Sequence, residues 1–326
     1  MIPKKIYFYW NGNKLPYLRY LTILSFLKYH PGWELKFLHE NSSEFNRNWI
    51  SPEHEKKIIC SDENNYIDRL MNLSNVEYIN FNRDKFYEDV YSITNKYIKK
   101  NISCVHISDI LRTYLIYMNG GIWADMDIIF TSSIDEYLKK KYENINLNIN
   151  SFFISNRNSK HIGHLIGFIG GEKHLELWLN ILLVQLNVIE QSGEKVDYQT
   201  LGSTLFNQVV PFEKATTYLQ DHKINTHNID DVISHIDDNI LAVNENNKKV
   251  NYCNLNTNIL YKVSSNNLNI LYENMDLPNR KNLLNYLMHD SIGIHWYGGH
   301  KESIDYINNY TYGRSKCLMD HLILNI

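Results

Sequence analysis

The sequence predicts an α/β fold: a mixed, mostly parallel sheet flanked by helices. Three observations carry that expectation. A strand–helix–strand unit opens the chain between Ile6 and Leu38. A helical pattern from Ser103 to Asn119 stops at Gly120-Gly121 and runs directly into the short strand Ile122-Trp123-Ala124. A late extended run, Ser291 to Tyr297, opens into Gly298-Gly299. Strands alternating with helices of this length are what a mostly parallel sheet needs, because parallel neighbours are joined by helical crossovers.

The elements follow in order. Ile6-Tyr7-Phe8-Tyr9-Trp10 is an aromatic, β-favouring run closed by the loop residues Asn11-Gly12-Asn13. From Tyr17 to Tyr29, Leu18, Leu21, Leu24, Phe26 and Leu27 recur at helical spacing, and His30-Pro31-Gly32 ends the helix. Trp33 to Leu38 alternates as a second strand. From about 43 to 100 the chain is polar and mostly helical in pattern, with few strand signals, which predicts a helical insertion or subdomain. In the Ser103–Asn119 helix, Ile107, Ile110, Leu111, Tyr114, Leu115 and Met118 share a face. Asp125-Met126-Asp127 stands at the end of the strand that follows, and Ile128-Ile129-Phe130 continues extended. Phe152-Phe153-Ile154 and Leu165 to Ile169 read as further strands, and His174 to Gln191 as a strong helix. The Asn- and Asp-rich stretch 222–257 is weakly patterned. There is no internal repeat and no clean linker, so residues 1–326 read as a single domain.

Composition narrows the class. The 326 residues are 44% hydrophobic and 21% charged, as in an ordinary soluble protein. A net charge of -3 gives no basic field, so nucleic acid is excluded as the expected partner. The four cysteines, Cys60, Cys104, Cys253 and Cys317, form no CxxC pair and read as reduced thiols rather than a zinc knuckle or disulfide framework. No apolar segment follows Met1-Ile2-Pro3-Lys4-Lys5 as a leader. No apolar run reaches the roughly 18–20 residues that span a bilayer. The expected location is cytoplasmic, with at most peripheral contact at the inner face of a membrane.

Asp125-x-Asp127 is the centre of the chemical reading. In an extended stretch, side chains two apart point to one face, so the two carboxylates would form a hard oxygen site. Such a site suits Mg²⁺ or Mn²⁺, which also take phosphate oxygens as ligands. Taken alone, the pair also reads as a solvated turn. Asp109 and Arg112 lie one helical turn apart. Without context they would be an exposed ion pair contributing under ~1 kcal/mol. Near the C-terminus, His295 at a strand end can ligate a metal, Gly298-Gly299 lets backbone approach a phosphate, and Lys301 can neutralise a diphosphate oxygen. A satisfied strand histidine and a surface lysine is the plainer alternative, and His300 is a neighbour able to take the histidine's role. The polar segment Asp197 to Thr204 reads equally well as a capped helix start.

The ordered string Ser108-Asp109-Ile110-Leu111-Arg112, Gly120-Gly121-Ile122-Trp123-Ala124-Asp125-Met126-Asp127 resembles the signature of the DxD sugar-binding glycosyltransferases. These include glycosyltransferase family 32 and the catalytic domains of the large clostridial glucosylating toxins, family 44. Ile2-Pro3-Lys4-Lys5-Ile6-Tyr7-Phe8-Tyr9-Trp10-Asn11-Gly12 is similar to the opening strand of that family, with Tyr7 where a histidine is usual. The resemblance covers residues 1–40 and 100–130. It implies a GT-A (Rossmann-like) fold, a UDP-sugar donor, Mn²⁺ or Mg²⁺, and transfer with retention. It also implies roles. Trp10 would pack on uracil, Asp109 and Arg112 would hold donor-sugar hydroxyls, and Trp123 takes the aromatic position before the pair. Asp125 would contact ribose and sugar, and Asp127 would bind the metal directly. His295-x-x-Gly298-x-x-Lys301 is similar to the family 8 motif, although Glu302-Ser303 stands where Pro-Trp follows there. By the same likeness, the 197–204 segment lies beside the anomeric carbon, offering Asp197 or Gln199.

The expected catalytic set is therefore Asp109, Arg112, Asp125 and Asp127. Trp10, Trp123, Gln199 and Lys301 join Asp109 and Arg112 in binding substrate, and Asp125, Asp127 and His295 are the expected metal ligands. The expected reaction builds a cell-surface polysaccharide, with a carbohydrate or glycolipid acceptor. Modification of a host protein such as a small GTPase is the alternative. A non-catalytic sugar-nucleotide or carbohydrate-binding module, using the 24 tyrosines as stacking platforms, is the remaining one.

Overall fold

The computed structural model describes residues 1–41, 64–98, 102–142, 148–158, 161–192, 196–209, 240–245, 248–309, 316–324 and 326. Its centre is a nine-stranded sheet. At one edge, β3 (Val76–Asn80), β2 (Glu34–Glu40), β1 (Lys5–Asn11) and β4 (Gly121–Ala124) lie side by side, all parallel. Next comes β8 (Phe168–Gly171), antiparallel to β4 and to β6 (Ser151–Asn158). β10 (Lys248–Asn256) pairs parallel with β6, and β9 (Ile240–Glu245) closes that side antiparallel. β7 (His161–His164) folds back on β6. The sheet is thus mixed and mostly parallel, as expected: β7, β8 and β9 oppose the common direction of the rest. A small second sheet pairs β5 (Ile128–Phe130) with β11 (Gly293–His295).

The sheet is buried on both faces, which is why its strands read as near-continuous apolar runs. Tyr7, Tyr9, Trp123, Phe153 and Ile169 point to one side, against α3 (Arg83–Thr94), α4 (Cys104–Asn119), α6 (Glu176–Gln191) and α7 (Ser203–Val209). Ile6, Phe8, Ile122, Phe152 and Phe168 point to the other, against α1 (Tyr17–Tyr29) and α2 (Ile67–Met71). The period-2 alternation of β1 is therefore real, but both of its faces are core.

A third cluster lies beyond α1. Leu18, Leu21, Ile129, Ile294 and Trp296 pack there with Leu271, Leu284, Leu287, Leu318 and Leu322. Those leucines come from α8 (Asn269–Tyr272), α9 (Leu277–Met288) and α11 (Leu318–Ile323). The remaining helices, α5 (Ile134–Tyr142) and α10 (Lys301–Asn309), follow β5 and the Gly298-Gly299 turn.

Gly120 caps α4 with φ 65°, and Gly121 follows at φ 111°. A Cβ on Gly121 would stand 2.7 Å from the Lys5 carbonyl oxygen. Glycine is what lets the chain leave α4 and enter β4 against β1 without a gap.

Four expectations change. The stretch read as helical from 43 to 100 supplies a strand of the main sheet, β3, whose half-exposed edge position blurs its alternation; residues 42–63 and 99–101 lie outside the described residues. The weakly patterned 222–257 region contains β9 and β10, while 210–239 lies outside the described residues. Leu165 to Gly167 form a turn between β7 and β8 rather than strand. Residues 125–127 are likewise a turn, between β4 and β5. None of the described helices is long and apolar enough to cross a membrane.

Candidate active site

The site forms where β4 ends, and α4 supplies its first half. Ser103 caps this helix through the His106 amide, and its buried face carries Asp109 and Arg112. These two are 3% and 4% exposed, so the exposed pair that spacing alone would suggest is a buried one. Arg112 Nη2 lies 3.0 Å from Asp109 Oδ1, and Nη1 lies 3.5 Å from Asp125 Oδ1. Nη1 donates to the Ile166 carbonyl at 2.7 Å, while Nε and Nη2 donate back to Ser108. The guanidinium also sits over the Trp123 ring, 5.1 Å from its centroid. Trp123 is itself buried, and its Nε1 donates to Asp125 Oδ1 at 2.9 Å. One guanidinium thus ties both acids to the aromatic beside them. Burial pushes the Asp109 carboxyl up to about 7; Arg112 opposes the rise and Asp125 adds to it.

The second half is built around Asp127. Residues 125–127 form a turn rather than an extended stretch. Asp125 Oδ1 meets Arg112 and Trp123, and Asp127 meets β11. The register of the small sheet sets His295 opposite Ile128, next to Asp127 in the chain. His295 Nε2 stands 3.2 Å from Asp127 Oδ1. The Gly298 amide donates to Asp127 Oδ2 at 2.8 Å, and the Trp296 amide donates to the Asp127 carbonyl at 2.9 Å. Arg19 Nη1 lies 3.8 Å from Oδ2. Burial alone would raise the Asp127 carboxyl, but the His295 ring, Arg19 and the Gly298 amide outweigh it and hold it well below the usual carboxylate range.

Helix α1 fixes this turn. Thr22 Oγ1 donates to the Met126 carbonyl at 3.0 Å, and Ser25 Oγ accepts from the Phe130 amide at 3.0 Å. Arg19 is one turn before Thr22 on the same face. Sequence reasoning missed it, yet a signal existed: Arg19, Thr22 and Ser25 recur every three residues in an otherwise apolar helix. Tyr261 was also missed; its ring packs 4.8 Å from that of His295.

The other expected residues fall as follows. Trp10 is half-buried, with its Nε1 donating to the Lys14 carbonyl at 3.0 Å, and Arg19 lies 5.5 Å from its ring centroid. The 197–202 turn does reach the site. Gln185 Nε2 bridges the carbonyls of Asp109 and Leu201 at 3.0 and 2.9 Å. A Cβ on Gly202 would sit 3.3 Å from both Asp109 carboxylate oxygens. Gln199 and Asp197 themselves are exposed in that turn. Lys301 is exposed at the start of α10. His300 hydrogen-bonds Glu302.

Among the described residues, no group of three or more His, Cys, Asp or Glu side chains is arranged to hold a metal ion. Asp127 and His295 meet at 3.2 Å, and the Oδ1 atom of Asp125 is engaged by Trp123 and Arg112. The donor set still fits a hard divalent cation at Asp127. Its Oδ1 is buried without a hydrogen bond, beside an imidazole nitrogen and one turn residue from a second carboxylate.

Residues 18–144 match the family model described as the glycosyltransferase sugar-binding region containing a DXD motif. That span holds Arg19, α4 and both aspartates of the turn. No curated protein matches. Among solved structures, the chain is similar to the PaToxG glycosyltransferase at 16% identity, with a TM-score of 0.42, over 68% of this chain and 75% of that one. An active-site mutant of LgtC aligns at 12% identity and a TM-score of 0.34, over 90% of this chain and 86% of that one. Mouse xyloside xylosyltransferase 1 aligns at 11% identity and a TM-score of 0.36, over 63% and 80%. At these scores the likenesses are loose and add nothing to the site's own geometry. The matched sugar-binding region is thus laid over the buried Asp109–Arg112 pair and the Asp125-Met126-Asp127 turn, and over residues 18–144 the chain is similar to the DXD glycosyltransferases.

Proposed function

We propose that this chain moves a sugar from a UDP-sugar to an acceptor hydroxyl with retention, using Mn²⁺ or Mg²⁺ held by Asp127. The observation that carries the reading is the division of labour inside the turn. Asp127 is largely enclosed, its carboxyl held well below the usual range, with Oδ1 facing only the His295 ring, while Asp125 is clamped by Arg112 and Trp123 beside the buried Asp109.

Each half then has its own task. Asp127, with His295 beside it, holds the cation, which when bound neutralises the diphosphate leaving group. Arg112 and Asp109 present a donor and an acceptor at a fixed spacing, as recognition of sugar hydroxyls requires. The Gly202 turn lies against the Asp109 carboxylate. Trp10, at the end of β1, is the proposed platform for the uracil ring. Lys301, exposed at the start of α10, is the proposed contact to the diphosphate. Retention, with attack from the leaving-group face, follows from the family resemblance.

A UDP-release assay over a panel of UDP- and GDP-sugars tests the reading. Metal-dependent turnover of one UDP-sugar, abolished by EDTA, is the expected result. Silence across the panel from folded protein would sink it in favour of a non-catalytic binder. The acceptor proposed is a carbohydrate or a glycolipid. Transfer of labelled sugar separates the outcomes, since label on lipid-extractable glycan supports that acceptor and label on a protein band overturns it.

A further inference from the structure

Arg19 has no part in the site as read from the sequence, yet the fold is shaped around it. It leaves the first turn of α1 and is confined between two tryptophans, its guanidinium carbon 4.7 Å from the Trp296 ring centroid and 5.5 Å from that of Trp10. Its side chain is 12% exposed, and Nη1 faces Asp127 Oδ2 at 3.8 Å. That distance is an ion contact, longer than a hydrogen bond. Room is made for the group by Gly298, where a Cβ would lie 2.1 Å from Nη2. Three polar atoms around this point are buried without a hydrogen bond: Arg19 Nε, Asp127 Oδ1 and the indole Nε1 of Trp296. Buried polar atoms are rarely left so, and three together mark a place where polar atoms of another molecule belong. Two of the three are donors and the third is a carboxylate oxygen, a mixture that asks for an anion and a cation together.

We propose that Arg19 is the resident counter-ion of Asp127: it neutralises the carboxylate until a divalent cation takes its place, and it then turns to the diphosphate of the nucleotide. The proposal rests on the donor-site reading above and adds the residue that links the site's empty and loaded states. The electrostatics requires something of this kind. The Asp127 side chain is only 14% exposed, and a carboxylate so enclosed is disfavoured without a cation. Arg112 does not serve it, being held by Asp109, Asp125, Ser108 and Ile166. A divalent ion at Asp127 would repel the guanidinium beside it, while the diphosphate that accompanies it attracts one, so the two ligands drive the same displacement. Between the two indole faces the guanidinium can slide while keeping its stacking. The unbonded Nε and the fork of Nη atoms then suit paired phosphate oxygens.

The test uses Arg19→Gln and Arg19→Lys in the full chain, with two binding readouts. Free Mn²⁺ is followed by electron paramagnetic resonance without nucleotide, and UDP binding by calorimetry at saturating Mn²⁺. The counter-ion role predicts opposite shifts in Arg19→Gln: Mn²⁺ alone binds about threefold or more tighter, and UDP binds about tenfold more weakly. Arg19→Lys, which keeps the charge but loses the planar fork, should hold Mn²⁺ affinity near that of the unaltered chain and recover part of the UDP affinity. Weakening of both ligands in both variants, or no change in either, would overturn the proposal and leave Arg19 a packing residue. If the unaltered chain itself binds neither Mn²⁺ nor UDP, the donor-site reading fails and the proposal falls with it.

Discussion

The site contains two enclosed aspartate–arginine pairs whose carboxyls are shifted in opposite directions. Asp109 has Arg112 at 3.0 Å, yet its carboxyl is pushed up to about 7. Asp127 has Arg19 only at 3.8 Å, yet its carboxyl is held well below the usual range. The nearer arginine leaves the less ionised acid. The difference lies in what else each partner does. Arg112 divides its donors among Asp109, Asp125, Ser108 and the Ile166 carbonyl, and Asp125 adds a second negative charge nearby. Asp127 collects the His295 ring and the Gly298 amide as well as Arg19. The number of donors facing a carboxylate, set against its burial, decides its charge more than the presence of one salt bridge.

The largest effect expected from breaking this contrast is at Asp127. Asp127→Ala removes the acid that stays ionised, and with it the proposed cation site. Transfer should fall by about 10³-fold or more, the scale of losing a principal electrostatic stabiliser. Circular dichroism should show the fold retained, and UDP release at saturating Mn²⁺ measures the loss. Turnover within tenfold of the unaltered chain would sink the assignment.

Next in size is Arg112→Lys. A lysine keeps the charge but cannot reach Asp109, Asp125 and the Ile166 carbonyl together, nor stack on Trp123 as a plane. Activity should fall by about 10²-fold, mainly in kcat, because misplacement rather than lost charge is the cause. A drop confined to KM would mean that the arginine only binds.

These two pairs also show what a sequence discloses. Asp109 and Arg112 share a helix face and lie just before the strand that carries Asp125, so their grouping follows from local periodicity. Arg19 and His295 reach Asp127 through tertiary structure: one from a helix laid across the turn by Thr22 and Ser25, the other through a two-stranded register. His295 is marked by its likeness to a known motif and Arg19 only by the three-residue spacing of polar side chains along its helix; the distance of either from Asp127 is set by the fold. The same-face expectation for Asp125 and Asp127 assumed an extended backbone where the chain in fact turns. The strands missed in the sequence tell a similar story. β3 is a half-exposed edge strand, and β9 with β10 fall in Asn-rich sequence whose β propensity is low. The central strands β1, β2 and β4 were legible because both of their faces are core.

A third effect separates the pairs by pH. In the unfolded chain Asp109 titrates near ~3.9, and in the folded chain near 7. Between those values the native state holds a proton that the unfolded state has released. The raised carboxyl therefore contributes stability that is fully present below pH ~4 and is lost as the pH rises toward 7. Asp109→Asn keeps a neutral side chain at every pH. It should flatten this decline and raise stability at pH 8 relative to the unaltered chain by an amount on the order of 1–3 kcal/mol. Thermal melts from pH 4 to pH 8 check it, and parallel curves for the two proteins would show that Asp109 is ionised throughout. Asp127 has the opposite sign: its depressed carboxyl contributes stability above pH ~4 that is lost only in strong acid.

The smallest effects expected are at two glycines, one beside each pair, and they compare how firmly each is held. A Cβ on Gly298 would come 2.1 Å from Arg19 Nη2, the mobile end of a long side chain. Gly298→Ala must therefore push the guanidinium off Asp127 while leaving every charge in place. A Cβ on Gly202 would stand 3.3 Å from the Asp109 oxygens and 2.7 Å from Ile166 Cδ1. There the methyl end yields first, and Arg112 keeps Asp109 where it is. Gly298→Ala should lower kcat/KM by about three- to tenfold, under ~1.4 kcal/mol at the barrier, and Gly202→Ala by less. Donor kinetics on the two variants, measured side by side, read the order. The reverse order would mean that the Asp109 pair, not the Asp127 pair, is the one whose arginine must be free to move.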